Sequence, residues 1–301
     1  MEKYVVSFPG LGINDLEFSR VAFSLFGIDV YWYGIIITAG IMLCLYLAYR
    51  HAPKYDIDQE FLLDNFIMII IASLLGARAY YVMFSWDQFK GDFWKIIDFR
   101  QGGMAFYGGV IGAVIAILVI HAIKKKPALK FIDFCAVYLP LGQAIGRWGN
   151  FVNQEAFGVN TDLPWGMISN GTKAYLEMNP QLGQNPALPV HPTFFYEFLG
   201  NMILFVVLLL YRRKNKHNGD LLATYLIGYG IIRYIVEGLR TDSLYVGQTT
   251  VRISQILSLF MVVAGIGIFV YHYLRDKKAA ELLMEEKLNE VSKEVETPED
   301  E

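Results

Sequence analysis

Charge is what this sequence has least of. Asp, Glu, Lys and Arg make up 18% of its 301 residues, where a soluble domain carries roughly a quarter. That deficit argues against an ordinary water-soluble fold. The formal net charge of −3 excludes the basic surface that phosphate-backbone binding requires, so no nucleic acid is expected as a partner. Cysteine is nearly absent. Cys44 and Cys135 both sit in apolar runs, as small buried hydrophobes do, which excludes a disulfide framework or a cysteine metal cage. There is no HExxH, no GxSxG and no P-loop, so zinc-protease, serine-hydrolase and NTPase chemistry have no local signature. No metal and no other cofactor is expected. No internal repeat of the kind that marks many secondary transporters is present. The opening MEKYVVSFPGLGINDLEF lacks the basic start and unbroken apolar core of a cleavable signal peptide.

What is present is apolar length. The chain is 54% hydrophobic with a mean hydropathy of +0.36. Runs of about 20 mainly apolar residues can cross a bilayer core, and they occur near 22–49, 60–84, 104–123, 131–150, 193–211, 219–238 and 252–273. The pattern predicts an all-α, polytopic transmembrane bundle of about seven spans. The fourth run ends in Gly and Asn and is expected to be broken or partly re-entrant.

Arg50 and Lys54 follow the first run, Lys124, Lys125, Lys126 and Lys130 the third. Arg212, Arg213, Lys214 and Lys216 follow the fifth, and Arg275, Lys277 and Lys278 the seventh. Every second loop is basic, and basic loops mark the cytoplasmic side. The expectation is an N-terminus outside and a C-terminus in the cytoplasm. Residues 1–275 then form the membrane domain, 151–192 an outer loop, and 276–301 an acidic cytoplasmic tail that begins helical and ends disordered.

Ionisable residues inside such runs are functional candidates by default, since an arginine at mid-span costs roughly 2.5–3.5 kcal/mol on insertion scales. In GRWGNFVNQEAFG, Arg147, Asn150 and Asn153 recur every third residue and share a face while the segment is helical. A guanidinium flanked by amides suits a phosphate, and Glu155 can pair with an arginine or accept a proton. The plainer alternative is a satisfied polar helix end at the surface. In GYGIIRYIVEGLRTD, Arg233, Glu237 and Arg240 form one helical stripe, either a structural ion pair or part of a cationic pocket. In RQGGMAFYGGVIG, from Arg100, Gly108 and Gly112 make a helix-packing face, and Tyr107 is an interfacial anchor or a hydroxyl aimed into a cavity. In HPTFFYE, His191 and Glu197 lack zinc spacing; Tyr33, in YWYG, falls near the same level. Arg78 adds a positive charge to the outer half of the second run.

Taken together these segments resemble the bacterial prolipoprotein diacylglyceryl transferases. GRWGNFVNQE is similar to that family's G-R-x-G-N-F-x-N-x-E signature, and WYG, GGMAFYGG, HPTFFYE and RYIVEGLR occur in the family's order, from Tyr33 to Gln255. The resemblance implies an inner-membrane enzyme. It would move the diacylglyceryl group of phosphatidylglycerol to the lipobox cysteine of a prolipoprotein signal peptide, form a thioether and release glycerol phosphate. It further implies that Arg147 and Arg233 hold the phosphate, that Tyr33, Asn150, Asn153, Glu155 and Gly158 shape the headgroup site, and that Glu237 and Arg240 complete a second cluster. His191 and Tyr196 fall in a family segment. One departure stands out. Many relatives carry His where this chain has Tyr107, a weaker proton acceptor, so the chain either uses another base, Glu155 or His191, or needs no dedicated side chain at that position. The rival reading is a small-anion or lipid transporter whose arginines line a path; a bare membrane scaffold leaves the Gly-Arg-Gly-Asn run unexplained.

Overall fold

The computed structural model describes residues 3–98, 102–245, 247 and 249–296; Arg100 and Gln101, which open the third motif, lie outside the described residues. The chain divides into two compact units, Met1–Met42 with Ala136–Glu301, and Leu43–Cys135.

In the first unit, the N-terminal segment corrects the expected start of the first span. Residues from 22 belong to strands, not to a helix. β1 (Lys3–Phe8) pairs antiparallel with β2 (Ile13–Ser19), and β3 (Val21–Leu25) pairs with β4 (Ile28–Tyr31). Phe26 and Gly27, the two loop residues between β3 and β4, both have positive φ, as the tightest hairpins require. Helix α1 begins only at Trp32 and runs to His51. Apolar composition alone does not separate a twisted hairpin from a helix start.

The remaining long helices fall where apolar length placed them, with a short helix between two of them. α2 covers Gln59–Phe84, α3 is the short Phe93–Ile97, and α4 covers Phe106–Ile123. α5 (Ala128–Ala136) and α6 (Leu139–Asn153) are the fourth run, interrupted as expected but at Val137 and Tyr138, with the Gly/Asn stretch helical within α6. Among the described residues six helices are long and apolar enough to cross a membrane, or seven with the bent α5–α6 pair counted as one. Exposed side chains on α4 include Val110, Ile111, Val114, Ile115, Leu118 and Val119. A helix that leaves so many apolar side chains uncovered by protein is one whose solvent on that side is lipid.

The loop 151–192, expected outside the membrane, is folded. β5 (Ile168–Ser169) adds to β1, and α7 (Asn170–Met178) starts at a reciprocal cap between Ser169 and Thr172. Val6, Phe157, Met167, Leu176, Val190 and Phe194 form its core. This small apolar centre joins the N-terminal strands, the loop and α8 (Thr193–Tyr211). α9 (Asp220–Leu239) and α10 (Ile253–Glu296) complete the unit, with α6 against α8, α8 against α9 and α9 against α10. α10 continues without a break through the expected tail boundary at 275–276; residues 297–301, the last of the tail, lie outside the described residues.

In the second unit, α2 and α4 meet through Gly76, Gly108 and Gly112, where an added Cβ would collide with backbone of the facing helix. That is the packing role expected of the Gly108/Gly112 face.

Candidate active site

The site is built where α6 stops. Asn153 is its last residue, and Gln154 takes the left-handed conformation, φ 54°, that ends many helices. Ala156 follows at φ 56°. Two non-glycine residues in this region within three positions are held by their surroundings. The buried Gln154 amide receives Gly171 N–H at 2.6 Å and donates to Val5 O at 3.3 Å. Thr193 Oγ1 donates to Ala156 O. The reversal carries Glu155 back over the helix: its N–H donates to Asn150 O at 3.0 Å, and its Oε1 accepts Asn150 Nδ2 at 2.9 Å and Asn153 Nδ2 at 3.2 Å. Arg20, absent from the sequence expectations, donates from Nε to Asn153 Oδ1 at 3.2 Å.

One turn deeper on α6, Arg147 Nη1 donates to Asn150 Oδ1 at 3.2 Å, and Nη2 lies 2.6 Å from Glu197 Oε1. Glu197 is 1% exposed. Its other oxygen accepts Arg233 Nη1 at 3.2 Å, and Arg233 Nη2 reaches Glu237 Oε2 at 2.5 Å. Tyr229 Oη donates to Glu197 Oε1 at 3.4 Å. A polar chain therefore runs Arg20, Asn153, Glu155, Asn150, Arg147, Glu197, Arg233, Glu237. Its three arginines and three glutamates cancel in charge. An uncompensated ion in such a setting costs several kcal/mol even after relaxation, so each charge requires its neighbour. A guanidinium has five N–H donors, and these carboxylates engage only some of them on each arginine. The remainder can take an anion in addition.

Arg240 departs from the expected stripe. The helix ends at Leu239, Arg240 is extended (φ −71°, ψ 145°), and its Nε and Nη2 make a fork to Asp242 at 2.8 and 2.7 Å. Spacing of i, i+7 places side chains together only while the helix lasts.

Gly158 lies between two chain segments. Its N–H donates to His191 O at 2.9 Å, and a Cβ there would stand 2.8 Å from His191 Cβ and 2.9 Å from Leu239 O. Its observed contacts are those of a close backbone crossing. Gly149 is similar: a Cβ would meet the Tyr33 ring at 2.7 Å, so the YWYG segment of α1 stacks directly on the GRWGN segment of α6.

His191 Nδ1 is 3.0 Å from Tyr196 Oη, which accepts Trp165 Nε1–H at 2.8 Å. Which partner donates in the Nδ1–Oη bond depends on the tautomer of the ring. Burial lowers the His191 pKa below its ordinary value.

Of the expected residues, then, Arg147, Asn150, Asn153, Glu155, Arg233 and Glu237 belong to one network, with Tyr33, Gly158, His191 and Arg240 packed about its segments. Tyr107 belongs to the second unit, at the start of α4, with its ring edge-on to Phe106. Arg78, also there, is 5% exposed, and its guanidinium donates to the carbonyls of Lys95, Ile96, Asp98, Gly102 and Gly103. It clasps a loop. Glu197 was missed as the hub, although the signal was legible: a carboxylate one turn into an apolar span needs a cation.

Known proteins are similar along most of the chain. The family model for prolipoprotein diacylglyceryl transferase matches residues 20–271. A phosphatidylglycerol–prolipoprotein diacylglyceryl transferase of Finegoldia magna is 45% identical over 251 residues, 82% of this chain and 93% of the relative. Proteins of the same name from Clostridioides difficile and Listeria innocua are 41% and 40% identical, covering 86% and 94% of this chain and 97% and 99% of their own lengths.

Proposed function

Because the chain belongs to the prolipoprotein diacylglyceryl transferase family, we propose that this multi-pass membrane transferase moves the diacylglyceryl group of phosphatidylglycerol to the lipobox cysteine of a prolipoprotein signal peptide. The observation that carries the reading is Glu197, a buried carboxylate that holds Arg147 and Arg233 side by side. Two guanidiniums fixed in one place, each with donors to spare, fit a phosphodiester better than a lone arginine does.

The chemistry follows from that arrangement. The cysteine thiolate is the nucleophile and attacks the glyceryl carbon that bears the phosphoester oxygen. The C–S bond forms, the C–O bond breaks, and its electron pair leaves on glycerol phosphate. Negative charge grows on the departing phosphate, where preorganised donors in a poorly hydrated site act most strongly. Alignment of sulfur and carbon supplies much of the rest. Glu155 takes the thiol proton: Asn150 and Asn153 both bond its Oε1, which leaves Oε2 to accept. Glu197 and Glu237 act through the arginines and are positioning residues. The basic loops support an N-terminus outside, a cytoplasmic C-terminus and a site facing outward from the bacterial inner membrane. All eight members of the polar chain gather at one end of α6, α8 and α9, which favours surface chemistry over a translocation path.

The test is purified protein with phosphatidylglycerol vesicles and a lipobox peptide. A diacylglyceryl mass increment on the peptide cysteine, lost with Cys→Ser, is expected. An unmodified peptide beside lipid or anion flux across the vesicles would overturn the reading in favour of a transporter.

A further inference from the structure

At the other end of α9 lies a cluster that no part of this function calls on. His217, in the α8–α9 loop, Asp220, at the first turn of α9, and His272, on α10, each offer a ligand atom within 4.8 Å of the other two. His272 Nδ1 is 2.7 Å from Asp220 Oδ1, His217 Nδ1 is 3.7 Å from Asp220 Oδ2, and the two rings are 4.7 Å apart. Asp220 is 4% exposed and His272 7%. Among the described residues, Asp220 has these two imidazoles and no lysine or arginine as ion-pair partners, and its Oδ2 also accepts the His217 N–H at 3.1 Å. Two imidazoles converging on one buried carboxylate are a donor set that a cation can share.

We infer that His217, Asp220 and His272 form a binding site for a zinc-class divalent metal ion, held by His217 Nδ1, His272 Nδ1 and the Asp220 carboxylate. Ligand atoms about 2.0–2.1 Å from zinc are about 3.3 Å from one another, so the present separations close with small side-chain rotations. A second observation points the same way. His217 turns Nδ1 to Asp220 and Nε2 to Asp276 Oδ1 at 3.2 Å. An outer carboxylate on the far nitrogen is how proteins orient a metal-bound imidazole and fix its tautomer. Two nitrogens and one oxygen suit zinc and its neighbours over magnesium or calcium, which prefer all-oxygen shells. The site lies about 20 Å along α9 from Arg233 at 1.5 Å per residue, too far to touch the reacting atoms. It would instead pin the α8–α9 turn to α10 and is independent of the transferase reading.

Full-length protein without a polyhistidine tag, purified in detergent and stripped with chelator, is titrated with Zn²⁺ and with Co²⁺ as a spectroscopic probe. One zinc per chain retained through gel filtration, a tetrahedral Co²⁺ absorption band and a rise in Tm on zinc addition are expected. His217→Ala, on the loop and therefore least disruptive, should weaken zinc at least about tenfold, and Asp276→Asn by about ten- to a hundredfold through the outer partner. Zinc retention by His217→Ala equal to that of the unaltered protein, or no retention by the unaltered protein, overturns the site; the first result means adventitious metal only.

Discussion

Arg147 Nη2 stands 2.6 Å from Glu197 Oε1, while the opposite oxygen of the same carboxylate holds Arg233. Through Glu197, two arginines from distant parts of the chain are held side by side, and the charge balance of the site turns on it.

Glu197→Gln keeps the shape and removes the charge that holds both guanidiniums. The kcat for a lipobox peptide should fall about 10²-fold or more, as when a preorganised donor is lost. Glu197→Ala should also lower thermal stability, since removing one member of a buried pair costs about 3–5 kcal/mol. Turnover near that of the unaltered enzyme in Glu197→Gln would refute the hub role.

Arg147→Lys preserves the positive charge but not the fork that spans Asn150 and Glu197. A point charge with a single ammonium cannot reproduce that planar geometry. Loss of about 10²–10³ in kcat/KM is expected, measured on the same peptide.

Gly158→Ala sets a methyl against His191 Cβ and Leu239 O at under 3 Å. Overpacking of this kind costs about 1–3 kcal/mol. A lowered Tm in detergent should accompany any loss of activity; a Tm that does not move would mean the crossing yields freely.

His191 gives a pH dependence. Burial lowers its pKa in the folded protein, so between that value and the unfolded value near 6.5 the unfolded chain binds the extra proton. Stability should thus fall as pH drops below about 6.5 and be insensitive to this group above it. His191→Gln should flatten the acid limb of Tm against pH, and an unchanged limb would assign it to other groups.

Tyr107→Phe deletes only a hydroxyl. Substantial activity should remain if the proton goes to Glu155, whereas complete loss would return the base to position 107.

Much of the fold was legible. Apolar runs of membrane-spanning length placed all the long helices, and the weak fourth run is indeed broken, but at Val137 and Tyr138 rather than in the Gly/Asn stretch, which stays helical in α6. The Arg147, Asn150, Asn153 face needed nothing beyond helical periodicity. β1 was not legible as a strand, because its burial comes from pairing with β5 and from a core shared with Phe157 and Phe194. Those partners are remote in sequence.

By itself the sequence determined which segments cross a membrane and which residues are too polar to be there by accident, because both depend on composition and local spacing. Only the tertiary structure decided where each charge ends. Arg78 clasps backbone carbonyls, Arg240 turns to Asp242, and Arg147 and Arg233 share Glu197. An arginine in an apolar run must find a partner, but which partner depends on the neighbouring helices and on where each helix ends.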